Sequence, residues 1–348
     1  MSKRVLITGG AGFIGHNLCR RMLAEGYEVG VIDNEFTGRR EDVPGECAYL
    51  KGDIRNTGDL AKAFDPAPDV VFHVAAQASN IRSFGDPRLD IDVNIQGTIN
   101  VVNACVERGV PKLVYAGSMT EYGLMDRLPV NEDAPLRPIS YYGISKTAAE
   151  HFVLSTTRRP DLTAPFSATV FRMFNVYGPG QSLTNPYQGV LAIFIGQVLR
   201  GEPCTVDGDG TQSRDFVYID DVTRAWAAVA EPGVADGIAI NLGSGARLSV
   251  NDLVREVCIV LGHDPKAYPI EKRPLRPGIN CIRKRISRAP AMSSAGRRKS
   301  VSRTASRAPS RGRKKRAGRP PDVALVRHEK PTDEPPGIPP VFFRSAER

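Results

Sequence analysis

Tyr142 and Lys146 stand four residues apart in Tyr142-Gly143-Ile144-Ser145-Lys146, a spacing that puts two side chains on one face of a helix. A cation beside a phenol favours the phenolate and lowers the tyrosine's pKa from its usual value near ~10. A tyrosine so placed can take a proton from a substrate hydroxyl and return it near neutral pH. Ser118 follows Leu113 to Ala116, a short apolar run that reads as a buried strand. At the strand's end its hydroxyl can hydrogen-bond the same substrate oxygen. Alone, the pair reads equally well as surface residues and the serine as the start of a turn. A nucleotide-binding fold upstream gives them weight.

That fold is announced by Val5-Leu6-Ile7-Thr8-Gly9-Gly10-Ala11-Gly12-Phe13-Ile14-Gly15, which reads as a strand, a glycine turn and a helix. Gly9 allows the tight turn, Gly12 lets backbone N–H groups approach a pyrophosphate, and Gly15 lets the helix lie close on the sheet. A second strand, Tyr27 to Ile32, ends in Asp33, placed to accept a ribose hydroxyl. The pattern predicts dinucleotide binding. A carboxylate there would repel a 2′-phosphate, which favours NAD over NADP; Arg39 and Arg40 are the opposing feature, since arginine near this loop accommodates NADP.

Apolar strands alternate with amphipathic helices along the rest of residues 1–177. Strands are expected at Cys47 to Gly52, Asp69 to Val74 and Ala168 to Phe174, and helices at Thr57 to Phe64, Ile91 to Arg108 and Tyr142 to Leu154. This alternation specifies an α/β protein with a Rossmann-type, doubly wound parallel sheet. Residues 178–190, rich in Pro, Gly, Asn and Gln, read as a loop reaching over a cleft. Residues 178–278 read as a smaller substrate-binding lobe over the sheet's C-terminal edge, returning some elements to the first domain.

The net charge of +9 is unevenly placed. Residues 279–348 hold nineteen Lys/Arg against five Asp/Glu, so the remainder is mildly acidic. The tail shows no helical or strand period and too little apolar surface to offset ordering entropy, which predicts disorder. Its charge raises nucleic-acid binding as a rival function, but only Phe342 and Phe343 offer stacking groups and both lie far from the basic cluster. Six scattered cysteines without a Cys-x-x-Cys pair suit reduced thiols and no metal site. No apolar run approaches a membrane span and the start is not a secretory signal, so a cytoplasmic protein is expected.

Taken together, these motifs resemble the extended short-chain dehydrogenase/reductase family. The further motifs are His73-Val74-Ala75-Ala76, Asp92-Val93-Asn94, Tyr122-Gly123 four residues after Ser118, Arg172-Met173-Phe174-Asn175, Gly208-Asp209-Gly210 and Arg214-Asp215-Phe216. Within the family the chain is most similar to the NAD-dependent sugar-nucleotide epimerases and dehydratases, in particular the UDP-glucose 4-epimerase branch, over roughly residues 3–278. The resemblance implies an epimerase acting on a UDP-sugar through a transient 4-keto intermediate, and a homodimer joined through helices at 91–108 and 142–154.

It also implies roles. Ser118, Tyr142 and Lys146 would be catalytic, the last two also touching the cofactor. Gly9, Gly12, Phe13, Ile14 and Gly15 would hold the pyrophosphate, with Asp33, Asn34 and Gly38 at the adenosine ribose. Asp53 and Ile54 would flank adenine, Ala75, Ala76 and Gln77 would line the way to nicotinamide, and Asn94 would support the cofactor. Ser118, Asn175, Val190, Arg214 and Arg276 would contact the substrate. Related dehydratases carry acids directly after the catalytic Ser or Thr, where this chain has Met119 and Thr120, and related decarboxylases usually carry Glu at position 120; Glu121 comes one position late. Epimerisation needs neither acid. Other nucleotide-sugar chemistry and a non-catalytic NAD-binding protein are the competing readings. After Arg276-Pro277-Gly278 the family continues with an acidic residue and a closing helix, where this chain turns basic, as a shifted reading frame would make it.

Overall fold

The computed structural model describes residues 2–275 apart from 126 and 186–188. Arg276 and the basic tail, on which three expectations fall (a substrate contact, disorder and a shifted frame), lie outside the described residues.

Strand β1 (Arg4–Thr8) leads through the glycine turn into helix α1 (Phe13–Ala24), and β2 (Glu28–Asp33) and β3 (Ala48–Lys51) follow. Helix α2 (Thr57–Ala63) begins at Asn56, whose side chain accepts from the N–H groups of Gly58 and Asp59. After β4 (Val70–His73) come two short helices that the periodicity did not suggest, α3 (Asn80–Gly85) and α4 (Pro87–Asp90). The expected helix over 91–108 is instead a π-helical stretch, Ile91–Gly97, running into α5 (Thr98–Glu107). π-helical turns often accompany functional sites, and this one carries Asn94, buried, towards the loop after β4.

Strand β5 (Lys112–Ser118) is followed by α6 (Tyr141–Thr156), β6 (Ser167–Met173) and β7 (Asn175–Tyr177). The smaller lobe holds α7 (Val190–Leu199), β8 (Cys204–Asp207), β9 (Ser213–Arg214) and β10 (Phe216–Tyr218). Helix α8 (Ile219–Ala228) and β11 (Ile238–Leu242) return to the main sheet, and β12 (Leu248–Ser249), α9 (Val250–Val260) and β13 (Ile270–Arg273) complete the described chain.

The central sheet has seven parallel strands in the order β11-β6-β5-β4-β1-β2-β3. Both faces are covered, and β1 shows how the period of two serves this. Val5 and Ile7 pack with Leu18, Met22 and Trp226 of α1 and α8, while Leu6 faces the opposite cluster with Leu60, Val101 and Val153 of α2, α5 and α6. A separate core of Phe194, Val206 and Leu253 holds the smaller lobe together. Since every strand runs the same way, the ends of β1, β4, β5 and β6 open on one edge, and the cleft lies there. The loop after β7 crosses towards α1: Asn17 Nδ2 donates to the Pro179 carbonyl at 3.2 Å. No helix among the described residues is long and apolar enough to cross a membrane.

Candidate active site

The turn between β1 and α1 is built from glycines for three separate reasons. Gly9 has φ +71°, and a Cβ on it would lie 2.7 Å from the Ala75 backbone. A Cβ on Gly15 would lie 2.1 Å from the Gly9 carbonyl oxygen, so any larger residue would push α1 off the turn. At Gly12 a Cβ would meet little within the protein, its nearest atom being the Gly9 oxygen at 3.3 Å. Gly12 lines the cavity and caps α1 with no side-chain hydrogen bond, which leaves the first N–H groups of the helix free for an anion. These features fit a pyrophosphate.

A cavity of about 410 Å³ runs along this edge. Its wall includes Gly9, Gly12, Phe13, Ile14, Gly15, Asp33, Asn34, Asp53, Ile54, Ala75, Ala76, Gln77, Ser118, Tyr142 and Asn175, so fifteen of the residues singled out from sequence meet in one space. Asp33 Oδ2 accepts from Ala11 N at 2.9 Å and Oδ1 from Glu35 N at 2.7 Å. Burial raises its carboxyl, and those N–H groups oppose the rise. Asp53 is gripped by the Arg55 guanidinium at 2.9 and 2.7 Å, which with Asn34 holds its pKa down to about 2. Neither arginine that pointed to NADP lines the cavity: Arg39 pairs with Glu41 and Asp42, and Arg40 lies over the Tyr49 ring at 4.6 Å.

Five of the expected residues lie outside this wall, the buried Lys146 among them. Gly38 does not line this cavity; a Cβ on it would come within 2.4 Å of the Ala11 carbonyl, so it packs close against the glycine turn. Asn94 is buried and clamps the loop after β4, accepting from Gln77 N at 2.8 Å and donating to Gln77 O at 3.0 Å and Ser145 Oγ at 2.9 Å. Val190 starts α7 without reaching the cavity; its neighbours Gly189 and Leu191 reach it instead. Arg214 lines a second cavity that meets the first at Phe174. Wall residues to which sequence reasoning gave no role include Phe36 and Gln181 on loops and Tyr177 and Phe216 on the short strands β7 and β10.

His73, at the end of β4, supports the site from beneath. Its ring nitrogens meet Thr8 Oγ1 at 2.7 Å and Thr98 Oγ1 at 2.9 Å, tying β1, β4 and α5 together. Burial, reinforced by the Lys146 charge, lowers its pKa to about 3, so it is neutral in the working range.

Ser118, Tyr142 and Lys146 converge at the end of β5. The Ser118 hydroxyl lies 2.9 Å from Thr120 Oγ1, and its N–H donates to Glu121 Oε1 at 2.6 Å, closing a capping box on the short 3₁₀ turn Met119–Tyr122. Lys146 is buried with its ammonium 4.2 Å from the Tyr115 ring centroid. Burial lowers the Lys146 pKa to about 8, against the pull of Glu121 and Glu150. The half-buried Tyr142 departs from expectation. Its phenol is pushed up to about 12 by burial; the Ser118 hydroxyl is the neighbour that favours ionisation, while Glu121 and Asp90 disfavour it. The helical spacing brings the lysine to the correct face, but desolvation is the largest influence on the phenol.

Sheet order, turn and cavity define a dinucleotide-binding α/β enzyme fold. The chain belongs to the NAD dependent epimerase/dehydratase family, whose model matches residues 5–243. It is 34% identical over 274 residues to the UDP-glucose 4-epimerase of Mycolicibacterium smegmatis, covering 76% of this chain and 86% of that one. The Thermus thermophilus UDP-glucose 4-epimerase, solved with NAD, superposes with a TM-score of 0.72 at 35% identity over 80% of this chain and 90% of that one. A UDP-N-acetyl-alpha-D-glucosaminuronate decarboxylase of Bacillus cytotoxicus is 30% identical over 266 residues, 74% of this chain and 80% of that one. The protein is therefore an NAD-dependent enzyme of the nucleotide-sugar epimerase/dehydratase type.

Proposed function

We propose that the protein is a UDP-glucose 4-epimerase that interconverts UDP-glucose and UDP-galactose, with Ser118, Tyr142 and Lys146 as its catalytic residues. The observation that carries this reading is the wall beside Ser118. Met119 faces the substrate side with a thioether, Thr120 bonds Ser118, and Glu121 is turned into the core with one oxygen on the Ser118 N–H. None of the three can protonate a leaving hydroxyl, which elimination of water requires, whereas epimerisation asks only for reversible oxidation of one alcohol.

Bound NAD would accept and give back the C4 hydride by way of a 4-keto sugar and, in its oxidised form, would add a positive charge that favours the phenolate. Tyr142 would take the C4 hydroxyl proton and later return it, while Ser118 would orient that oxygen. Lys146 keeps a cation behind the phenol. The glycine turn would hold the pyrophosphate, and Asp33 a ribose hydroxyl. Incubating the purified full chain with UDP-glucose should yield UDP-galactose without added NAD. Absence of that product, with another nucleotide sugar converted by the same preparation, would overturn the substrate assignment.

A pH dependence follows. Burial disfavours the Lys146 ammonium, so the charge is present below about pH 8 and lost as pH rises through it. kcat/KM is expected to fall on that alkaline limb. A profile level from about pH 7 to 9.5 would rule out this role for the cation.

We further propose a homodimer built on α6 and the 91–107 segment, which pack side by side. Ile91, Ile144 and Phe152 stand 54%, 49% and 47% exposed on them, an apolar face that water does not favour. Light scattering should report a dimer, and Phe152→Glu should halve the mass; a wild-type monomer would remove the proposal.

A further inference from the structure

The second cavity, about 590 Å³, is large enough for a hexose and an anionic group. Part of its lining is apolar, with Met119, Met125, Leu128 and Phe174, and part is basic, with Arg214 and Arg247. The strands β9 and β12 bring them there: Leu248 pairs with Arg214 in an antiparallel ribbon, so Arg247 falls opposite Asp215 just past the pair.

Asp215 and Asn241, which share this cavity, are already engaged. Asp215 accepts from Ser244 N, Ser244 Oγ and Gly245 N, each at 2.8 Å, and so shapes the loop that presents Arg247. Asn241 accepts from the Tyr122 hydroxyl at 2.6 Å and donates to the Val130 carbonyl at 3.1 Å. Arg247, exposed on the cavity wall, makes no hydrogen bond or ion pair with a described residue. An arginine fork left open beside a substrate cavity has the geometry to take two oxygens of one carboxylate or phosphate.

We infer that Arg247 is a specificity-determining contact that receives an anionic oxygen pair of the substrate, either the diphosphate or a carboxylate on the sugar. This rests on the nucleotide-sugar reading above. The resemblance that pointed to Arg214 carried no indication of Arg247, which no motif includes.

The test is calorimetric titration of the full-length protein with UDP, UDP-glucose and UDP-glucuronate, comparing wild type with Arg247→Leu. A charge-assisted fork lost at this position should weaken binding about tenfold. Weakening towards all three ligands identifies the diphosphate as the partner; weakening towards UDP-glucuronate alone identifies the carboxylate. Affinities within about twofold of wild type for every ligand would overturn the inference while leaving the proposed function standing. Failure of wild-type protein to bind any of the three would overturn the nucleotide-sugar reading and this inference with it. Because the exposed Arg247 side chain makes no hydrogen bond or ion pair with a described residue, the variant's melting temperature should match the wild type's, which separates lost binding from lost folding.

Discussion

Tyr142→Phe is expected to lower turnover of the nucleotide sugar by roughly 10²–10⁴-fold, the range in which positioned acid–base groups contribute. The change removes one oxygen and leaves the ring that lines the cavity, so the cofactor should stay bound. The size of the effect follows from the site's electrostatics. Neither His73 nor Glu121 is placed to replace the phenol: His73 is held neutral by burial with both ring nitrogens on threonines, and Glu121 is turned away on the Ser118 N–H. Steady-state rates on the variant, together with the absorbance of its co-purified NAD, make the measurement. More than about a tenth of wild-type turnover in a variant that retains cofactor would remove Tyr142 from the mechanism.

Arg172→Met is expected to cost ~3–5 kcal/mol of stability, because it strands buried acids. Arg172 on β6 forks onto Glu150 at 2.9 and 2.5 Å, and its third nitrogen donates to the Tyr122 hydroxyl at 2.8 Å and the Glu132 carbonyl at 2.9 Å. Glu121 Oε2 lies 4.0 Å away, buried and without a hydrogen-bond partner. Burial, with Glu150 beside it, already pushes the Glu121 carboxyl well up, so removing the one guanidinium leaves two carboxyls facing each other in the core. For a domain of this size the loss corresponds to a melting temperature lower by roughly 10 °C. Thermal unfolding followed by circular dichroism would show it, and a shift under about 2 °C would mean that the cluster relaxes without its cation. The loss should reach the active site too, since Glu121 fixes the Ser118 N–H and Tyr122 hydrogen-bonds Asn241 of β11.

Arg172 shows why part of this protein was legible in the chain and part was not. Arg172-Met173-Phe174-Asn175 was recognisable as a motif, yet nothing in its spacing says that the arginine neutralises Glu150, twenty-two residues earlier. Local features were readable because local physics makes them: a turn that admits only glycine, strands of alternating or continuous apolar residues, and a Tyr-x-x-x-Lys on one helix face. They specified the parallel sheet and dinucleotide binding, while the family resemblance supplied most of the fifteen residues that meet in one cavity.

Where a residue's surroundings come from distant segments, its contacts were not legible in the chain. Gly38 packs against the Ala11 backbone at the glycine turn, a contact that no spacing announces. Asn94 sits on a π-helical stretch that the 3.6-residue period could not distinguish from ordinary helix, and its side chain holds Gln77. Arg247 carried no signal until Asp215 bent the loop that presents it.

By itself the sequence determined the fold class, the dinucleotide-binding turn and the pairing of one tyrosine with one lysine, since each follows from backbone permission or helix periodicity within a few residues. Tertiary structure alone decided the electrostatic state of those groups. Burial raises the Tyr142 phenol and lowers the Lys146 ammonium, against the simple pairing that spacing suggests, because desolvation depends on everything packed around a charge and on nothing adjacent to it in the chain.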